Sequence, residues 1–170
     1  MAIYYGDGGN SSSGRVVQVT QGTTNSEDSG NETSFTDTGL LDIQFSNAVT
    51  SGNKVLLQLS FGMGEAYDGA WAQHAAFTIY CDTDGNLGDS TWGMVGGWVS
   101  GTGSADGNMQ YGFQRMYGSK LYTPTTTTPR YRLYRKRIST SWSLTIGSSH
   151  HSSTNYNSGN TQLTAMEITA

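Results

Sequence analysis

A chain of 170 residues with 35% hydrophobic content is long enough to enclose one core and suits a single domain. Charged residues make up only 13%, the net charge is −4, and ten Tyr with four Trp demand burial, which excludes the apolar-poor, highly charged composition of a disordered chain. Gly supplies 23 residues, Gly, Ser and Thr together exceed a third of the chain, and Pro occurs twice, so reversals are too frequent for a helical fold.

Predicted strands follow one another from the start. Arg15 to Thr20 is the first. Leu41, Ile43 and Phe45 then alternate with Asp42 and Gln44, which puts one side of the segment in a core and the other toward solvent. The clearest strand has Val55, Leu57, Leu59 and Phe61 alternating with Leu56, Gln58 and Ser60. Ala75, Phe77, Ile79 and Cys81 alternate with His74, Thr78 and Asp82 in the same way. Further strands are expected at Trp92 to Val99, Met109 to Tyr117, Arg130 to Ile138, Trp142 to Ile146 and Gln162 to Ile168. About nine strands at such close spacing predict an all-β sandwich or barrel.

The connections carry turn chemistry, because Gly and Asn accept positive φ and Asp-Gly pairs fit tight hairpins. Asp82-Thr-Asp-Gly-Asn-Leu-Gly-Asp89 and Asn155-Tyr-Asn-Ser-Gly-Asn160 are such places. Only Glu65 to Ala76 is rich enough in Ala for a helix, and Gly69 limits it to one or two turns. No internal repeat and no linker divides the chain, so residues 15–170 are expected to form one domain behind an arm of residues 1–14.

Met1 to Tyr5 offers neither a basic leader nor an apolar run, so no secretory signal is expected, and no segment approaches a membrane span. The single Cys81, on an inward position, excludes an intrachain disulfide framework and reads as a small core residue.

Charge is divided along the chain. Up to Asp106 there are twelve acids and two bases, a net −10, whereas Gly107 to Ala170 carries +6. Arg130, Arg132, Arg135, Lys136 and Arg137 supply most of that excess. Arg130, Arg132 and Lys136 can form a basic surface for acidic glycans. Alternatively they can meet acids of neighbouring strands or of a second subunit, a pairing that solves the same charge problem. The acidic chain carries no nucleic-acid-binding fingerprint, so no nucleic-acid partner is expected.

Asp82-x-Asp-Gly-Asn-x-x-Asp89 places oxygen ligands at the spacing of a calcium loop, but Gly93 stands where the closing Glu belongs, which favours a hairpin turn. His150 and His151 lie in a Ser-rich loop, and a metal there would need several such loops to converge. No metal and no cofactor is expected. Tyr67, Trp71, Trp92 and Trp98 lie among glycines. Trp92 and Trp98 share the parity of Met94 and read as core, while Tyr67 and Trp71, flanked by Gly64, Asp68 and Gly69, read as exposed platforms for stacking on sugar rings. No Gly-x-Ser-x-Gly elbow, His-Glu-x-x-His or phosphate loop occurs. Glu65 and Asp68 are the nearest carboxylate pair for glycoside cleavage, but the chain has neither the length nor the period of a β-helical repeat, so an enzyme is not expected.

The two ends of the chain carry a family signal. It opens Met1-Ala-Ile-Tyr-Tyr-Gly-Asp-Gly-Gly-Asn-Ser-Ser-Ser-Gly-Arg-Val-Val-Gln-Val and closes Thr161-Gln-Leu-Thr-Ala-Met-Glu-Ile-Thr-Ala. Together with Thr33-Ser-Phe-Thr-Asp-Thr-Gly-Leu, Asn53-Lys-Val-Leu-Leu and Tyr131-Arg-Leu-Tyr-Arg-Lys-Arg, in that order, the chain resembles fibre-head and appendage proteins of tailed bacteriophages, especially those of marine cyanobacteria. The resemblance runs over most of the chain and lapses between Gly62 and Gly107, where specificity is expected to vary.

The resemblance implies a virion structural protein, assembled in the host cytoplasm, with an antiparallel β-sandwich of jelly-roll type and a homotrimeric assembly. Its arm, with Tyr4, Tyr5 and Asn10 among Gly and Ser, is too polar to fold alone and is expected to anchor to other virion proteins. Two roles are implied: attachment to a host surface glycan or protein through the variable loops, or a non-adhesive part such as a capsid decoration, head fibre or tail adaptor.

Overall fold

The computed structural model describes residues 14–26, 28–30, 32–65, 73–99, 113–138, 144–146, 149–151, 154–156 and 160–170. Among the described residues there are strands and no helix. In chain order the strands are β1 (Val16–Thr24), β2 (Asp28–Gly30), β3 (Thr36–Gln44), β4 (Lys54–Glu65), β5 (Gln73–Cys81), β6 (Gly85–Asn86), β7 (Val95–Val99), β8 (Phe113–Tyr122), β9 (Arg130–Arg137), β10 (Leu144–Ile146), β11 (Ser149–His151), β12 (Thr154–Tyr156) and β13 (Thr161–Ile168).

Two antiparallel sheets stack as a sandwich. The first runs β1-β13-β4-β8, and β10, bonded to β2, takes over from β13 along the far end of β4. The second runs β3-β9-β5, and the free side of β5 is completed by β7 and then β6. Strands β11 and β12 pair with each other as a small two-stranded sheet. Numbering the eight principal strands β1, β3, β4, β5, β7, β8, β9 and β13 as first to eighth, the first sheet reads first, eighth, third, sixth, and the second reads second, seventh, fourth, fifth.

The core lies where the alternation places it. Leu41, Ile43 and Phe45 of the β3 segment, Val55, Leu57, Leu59 and Phe61 of β4, and Ala75, Phe77, Ile79 and Cys81 of β5 are all buried. Leu163 and Ala165 of β13 and Tyr131 and Leu133 of β9 complete it. Phe61 and Phe77 join the two layers with ring centroids 4.5 Å apart. The Tyr122 hydroxyl of the first sheet donates to that of Tyr131 in the second at 3.0 Å, so both polar tips are satisfied inside the core. Burial pushes both phenols well above the ordinary tyrosine range.

The nine expected segments all contain strands, with shifted ends. Glu65 closes β4 and Gln73 to Ala76 open β5, so the ends of the expected helical stretch are strand, and the rest lies outside the described residues. Trp92 departs from the reading as core, since it is 49% exposed. The reason is local: the Asp89 carboxylate accepts the amides of Thr91 and Trp92 at 2.7 and 2.8 Å, and Gly93 has φ of 66°, so the chain turns there and β7 starts only at Val95.

Candidate functional site

Strand β9 carries bases on both of its faces, and the two faces treat them differently. Arg130, Arg132 and Lys136 share the outward parity, while Arg135 falls in line with the buried Tyr131 and Leu133. Register then supplies partners: Arg132 stands opposite Asp42 on β3 and opposite Tyr80 on β5. Arg130 forms a two-pronged ion pair with Asp42. Arg132 lies 3.5 Å from both Asp42 and Asp82 and 3.9 Å from Asp37. The Arg130 hydrogen bond, helped by the charges of Arg130 and Arg132, holds the Asp42 carboxyl below the usual carboxylate range.

Lys136 works differently. Its ammonium donates to the Ser90 carbonyl at 2.6 Å and sits 4.6 Å from the centre of the Phe35 ring. It thereby ties the turn around Ser90 to the outer face of the second sheet. Ala76 and Thr78, outward by parity, are fully buried on that face, and Thr78 donates to Asn86 at 2.5 Å. Beside them Tyr80 and Tyr134 stack at 4.3 Å with an interplanar angle of 22°. The outer face of the second sheet is therefore a matched lattice of guanidinium, carboxylate and phenol groups. Such a surface can offer hydrogen-bond donors, acceptors and ring edges to a polyhydroxylated ligand, with Arg130 and Arg132 already paired to acids.

Sequence reasoning grouped Arg135 with the other bases, and its placement is of another kind. Its side chain is 5% exposed, and it donates to Asp28 at 2.5 Å and also to Glu32, which tie the neighbourhood of β2 in the first sheet to β9 in the second. Gly30 lies under the guanidinium, where a Cβ would collide with both of its terminal nitrogens. The Glu32 carbonyl accepts the Arg137 amide at 2.7 Å, closing the same corner.

Glu167 is the second missed residue. It is fully buried on β13, and its carboxylate accepts the Thr50 amide at 2.8 Å, the Asn53 side-chain amide at 2.6 Å and the Gln18 side-chain amide at 2.6 Å. Burial pushes its pKa up, and these hydrogen bonds outweigh that and bring it below the ordinary glutamate range. The signal available in sequence was its parity: in Thr161-Gln-Leu-Thr-Ala-Met-Glu-Ile it falls in phase with Leu163 and Ala165.

The acidic turn disperses its carboxylates. Asp82 faces Arg132, Asp84 accepts from Thr125, and Asp89 caps the following turn. Asn86 accepts the Gly88 amide at 2.9 Å, and Gly85, at φ of 73°, makes the tight reversal between β5 and β6. Among the described residues no group of three or more His, Cys, Asp or Glu side chains is placed to hold a metal ion. Tyr67 and Trp71, and the arm residues Tyr4, Tyr5 and Asn10, lie outside the described residues.

Fold and face together define a class, an antiparallel β-sandwich with a charge-paired outer sheet. No family model matches the chain, and no curated protein matches it. Among solved structures it is similar to dimeric latent PorU from Porphyromonas gingivalis, with 10% identity and a TM-score of 0.38, over 95% of this chain and 14% of that one. It is also similar to a structure of infectious bursal disease virus, Gx strain, with 16% identity and a TM-score of 0.31, over 93% of this chain and 39% of that one. The chain thus spans well under half the length of either structure.

Proposed function

We propose that this chain is a structural protein of a tailed-bacteriophage virion, a jelly-roll head of a fibre or appendage that acts in host attachment. The observation carrying the reading is the strand order, first-eighth-third-sixth against second-seventh-fourth-fifth, which supports two Greek keys closed into a jelly roll. Viral capsid and lectin domains use that architecture, and the likeness of both termini to phage appendage proteins selects among its users. The assembly is a homotrimer whose arm, with Tyr4, Tyr5 and Asn10, holds it to other virion proteins. Tyr67 and Trp71 stack on a host surface glycan, with the outer face of the second sheet as supporting surface.

The test is made on particles. Mass spectrometry of purified virions should detect the chain, and imaged particles should show sandwich density at an exposed appendage. Absence from purified particles overturns the reading. For attachment, Tyr67→Ala with Trp71→Ala should abolish binding of the soluble protein to host cells while hardly changing its melting temperature, since an exposed aromatic contributes little to a core. A double variant that unfolds would remove the named site.

A further inference from the structure

Among the described residues six large hydrophobic side chains are exposed: Val16, Val17, Val19, Trp92, Tyr117 and Leu121. Five of them lie on the first sheet, on β1 and β8, its two long outer strands. Scattered exposed apolar residues need no explanation, but these are not scattered. Val19 stands opposite Met166, Met166 opposite Leu56, and Leu56 opposite Leu121, so one apolar row crosses all four strands of the outer face. Val16, paired with Ile168, extends it on one side.

The two rows on the other side are polar without charge. Gln21, Thr164, Gln58 and Ser119 form the next row, and Thr23, Gln162, Ser60 and Tyr117 the one after. Among the outward positions of β1, β4, β8 and β13 the register places two charges, Lys54 and Arg115, toward opposite ends of β4, and no acid. The second sheet is the opposite case, with Asp37, Asp42, Asp82, Arg130, Arg132 and Lys136 around its outer face. An apolar centre, an uncharged hydrogen-bonding surround and depletion of charge are the composition of a protein interface.

We infer that copies of this chain associate with one another through the outer face of the first sheet, with Val19, Leu56, Leu121 and Met166 at the centre of the contact. Charge selects the occupant. Each copy carries −4, so two copies repel in general and approach most easily through a surface that bears none of the acids. A face without acids is compatible with another copy of this chain in a way that the acidic stretches are not. This inference rests on the self-assembly named in the reading above, and not on the virion.

The experiment is sedimentation with light scattering on the full chain between about 1 and 100 μM, with circular dichroism as the folding control. The wild type should be larger than a monomer and dissociate on dilution. Leu56→Lys and Leu121→Lys should remain folded and raise the dissociation constant about a hundredfold or more, because each places like charges together in the contact. Gln44→Lys, on the second sheet, should leave assembly unchanged. Should either Leu variant fail to fold, Gln58→Lys and Ser119→Lys put the charge on positions already polar and exposed. Folded variants that keep the wild-type assembly overturn this face while leaving self-association intact. A wild type that is monomeric at 100 μM overturns both, whatever other protein it binds.

Discussion

At the residue scale Gln18, Thr50 and Asn53 deliver three donors to one buried carboxylate, drawing β1 and the turn before β4 onto β13. Replacing Glu167 by Gln keeps the shape but turns an amide donor toward groups that are themselves donors, so chemical denaturation at pH 7 should show a loss of about 2 kcal/mol. The folded carboxyl holds its proton less tightly than an unfolded one, so its contribution is complete above the ordinary glutamate range and disappears as pH falls through and below about 4. The gap between wild type and Glu167→Gln should therefore narrow on acidification. A gap that is constant from pH 7 to pH 3 would remove the carboxylate from this account. Arg135 makes the complementary case. Arg135→Met leaves Asp28 and Glu32 without their cation and should cost about 3 kcal/mol, the low end for a broken buried pair because Glu32 keeps contact with water. Gly30→Ala should approach the same loss by displacing the guanidinium, and equal melting temperatures for Gly30→Ala and wild type would show that the corner can yield.

At the scale of the element, β9 predicts opposite outcomes for neighbouring residues of the same type. Arg130→Ala removes a pair whose two side chains are both more than 40% exposed and screened by salt, so melting curves should scarcely move. Arg135→Met, five residues along and on the other face, should lower the midpoint clearly. If Arg130→Ala proves as damaging as Arg135→Met, strand parity does not govern these charges. Parity is also what made so much of the fold legible. Period-two runs in β3, β4 and β13 mark both strand and buried face, because the sandwich wets one side of these strands and not the other, whereas in β5 the outward Ala76 and Thr78 are buried as well. Short strands escape this logic: β2 and β6 have three and two residues, too few for a period. Arg135 escaped because its partners lie more than 100 positions away, and a charge on an inward position is intelligible only once they are placed. The irregularity in β3 between Asp37 and Asp42, with Asp37 accepting the Gly39 amide and Gly39 at φ of 65°, is another arrangement that alternation does not encode. Cross-strand pairing of Arg130 and Arg132 was among the sequence alternatives, and register selected which acids they meet.

For the whole molecule, the start of β1 decides what the arm contributes. The Gly14 amide bonds to the Thr169 carbonyl at 2.9 Å, Arg15 donates to the Thr169 hydroxyl at 3.0 Å, and the Thr169 amide returns to the Arg15 carbonyl at 2.9 Å. These bonds lead directly into the β1-β13 ladder, which continues to Thr24 opposite Thr161. The described sheet is thus pinned from Gly14 onward by the other end of the chain and draws none of these contacts from the residues before it. Removing residues 1–13 should consequently leave the circular dichroism spectrum and the melting temperature close to those of the full chain. It should also leave assembly through the first sheet intact, because Val19, Leu56, Leu121 and Met166 all lie beyond the deletion. The loss belongs elsewhere: with Tyr4, Tyr5 and Asn10 gone, the truncated protein should be made in normal amounts in an infected host and fail to enter particles. Quantifying it in purified virions against the full-length protein checks this, with sedimentation of the soluble form as the control for folding and assembly. Incorporation at the wild-type level would show that the arm is not the anchor. Unfolding of the truncated chain would show that the first sheet depends on residues ahead of Gly14, contrary to the bonds that close it there.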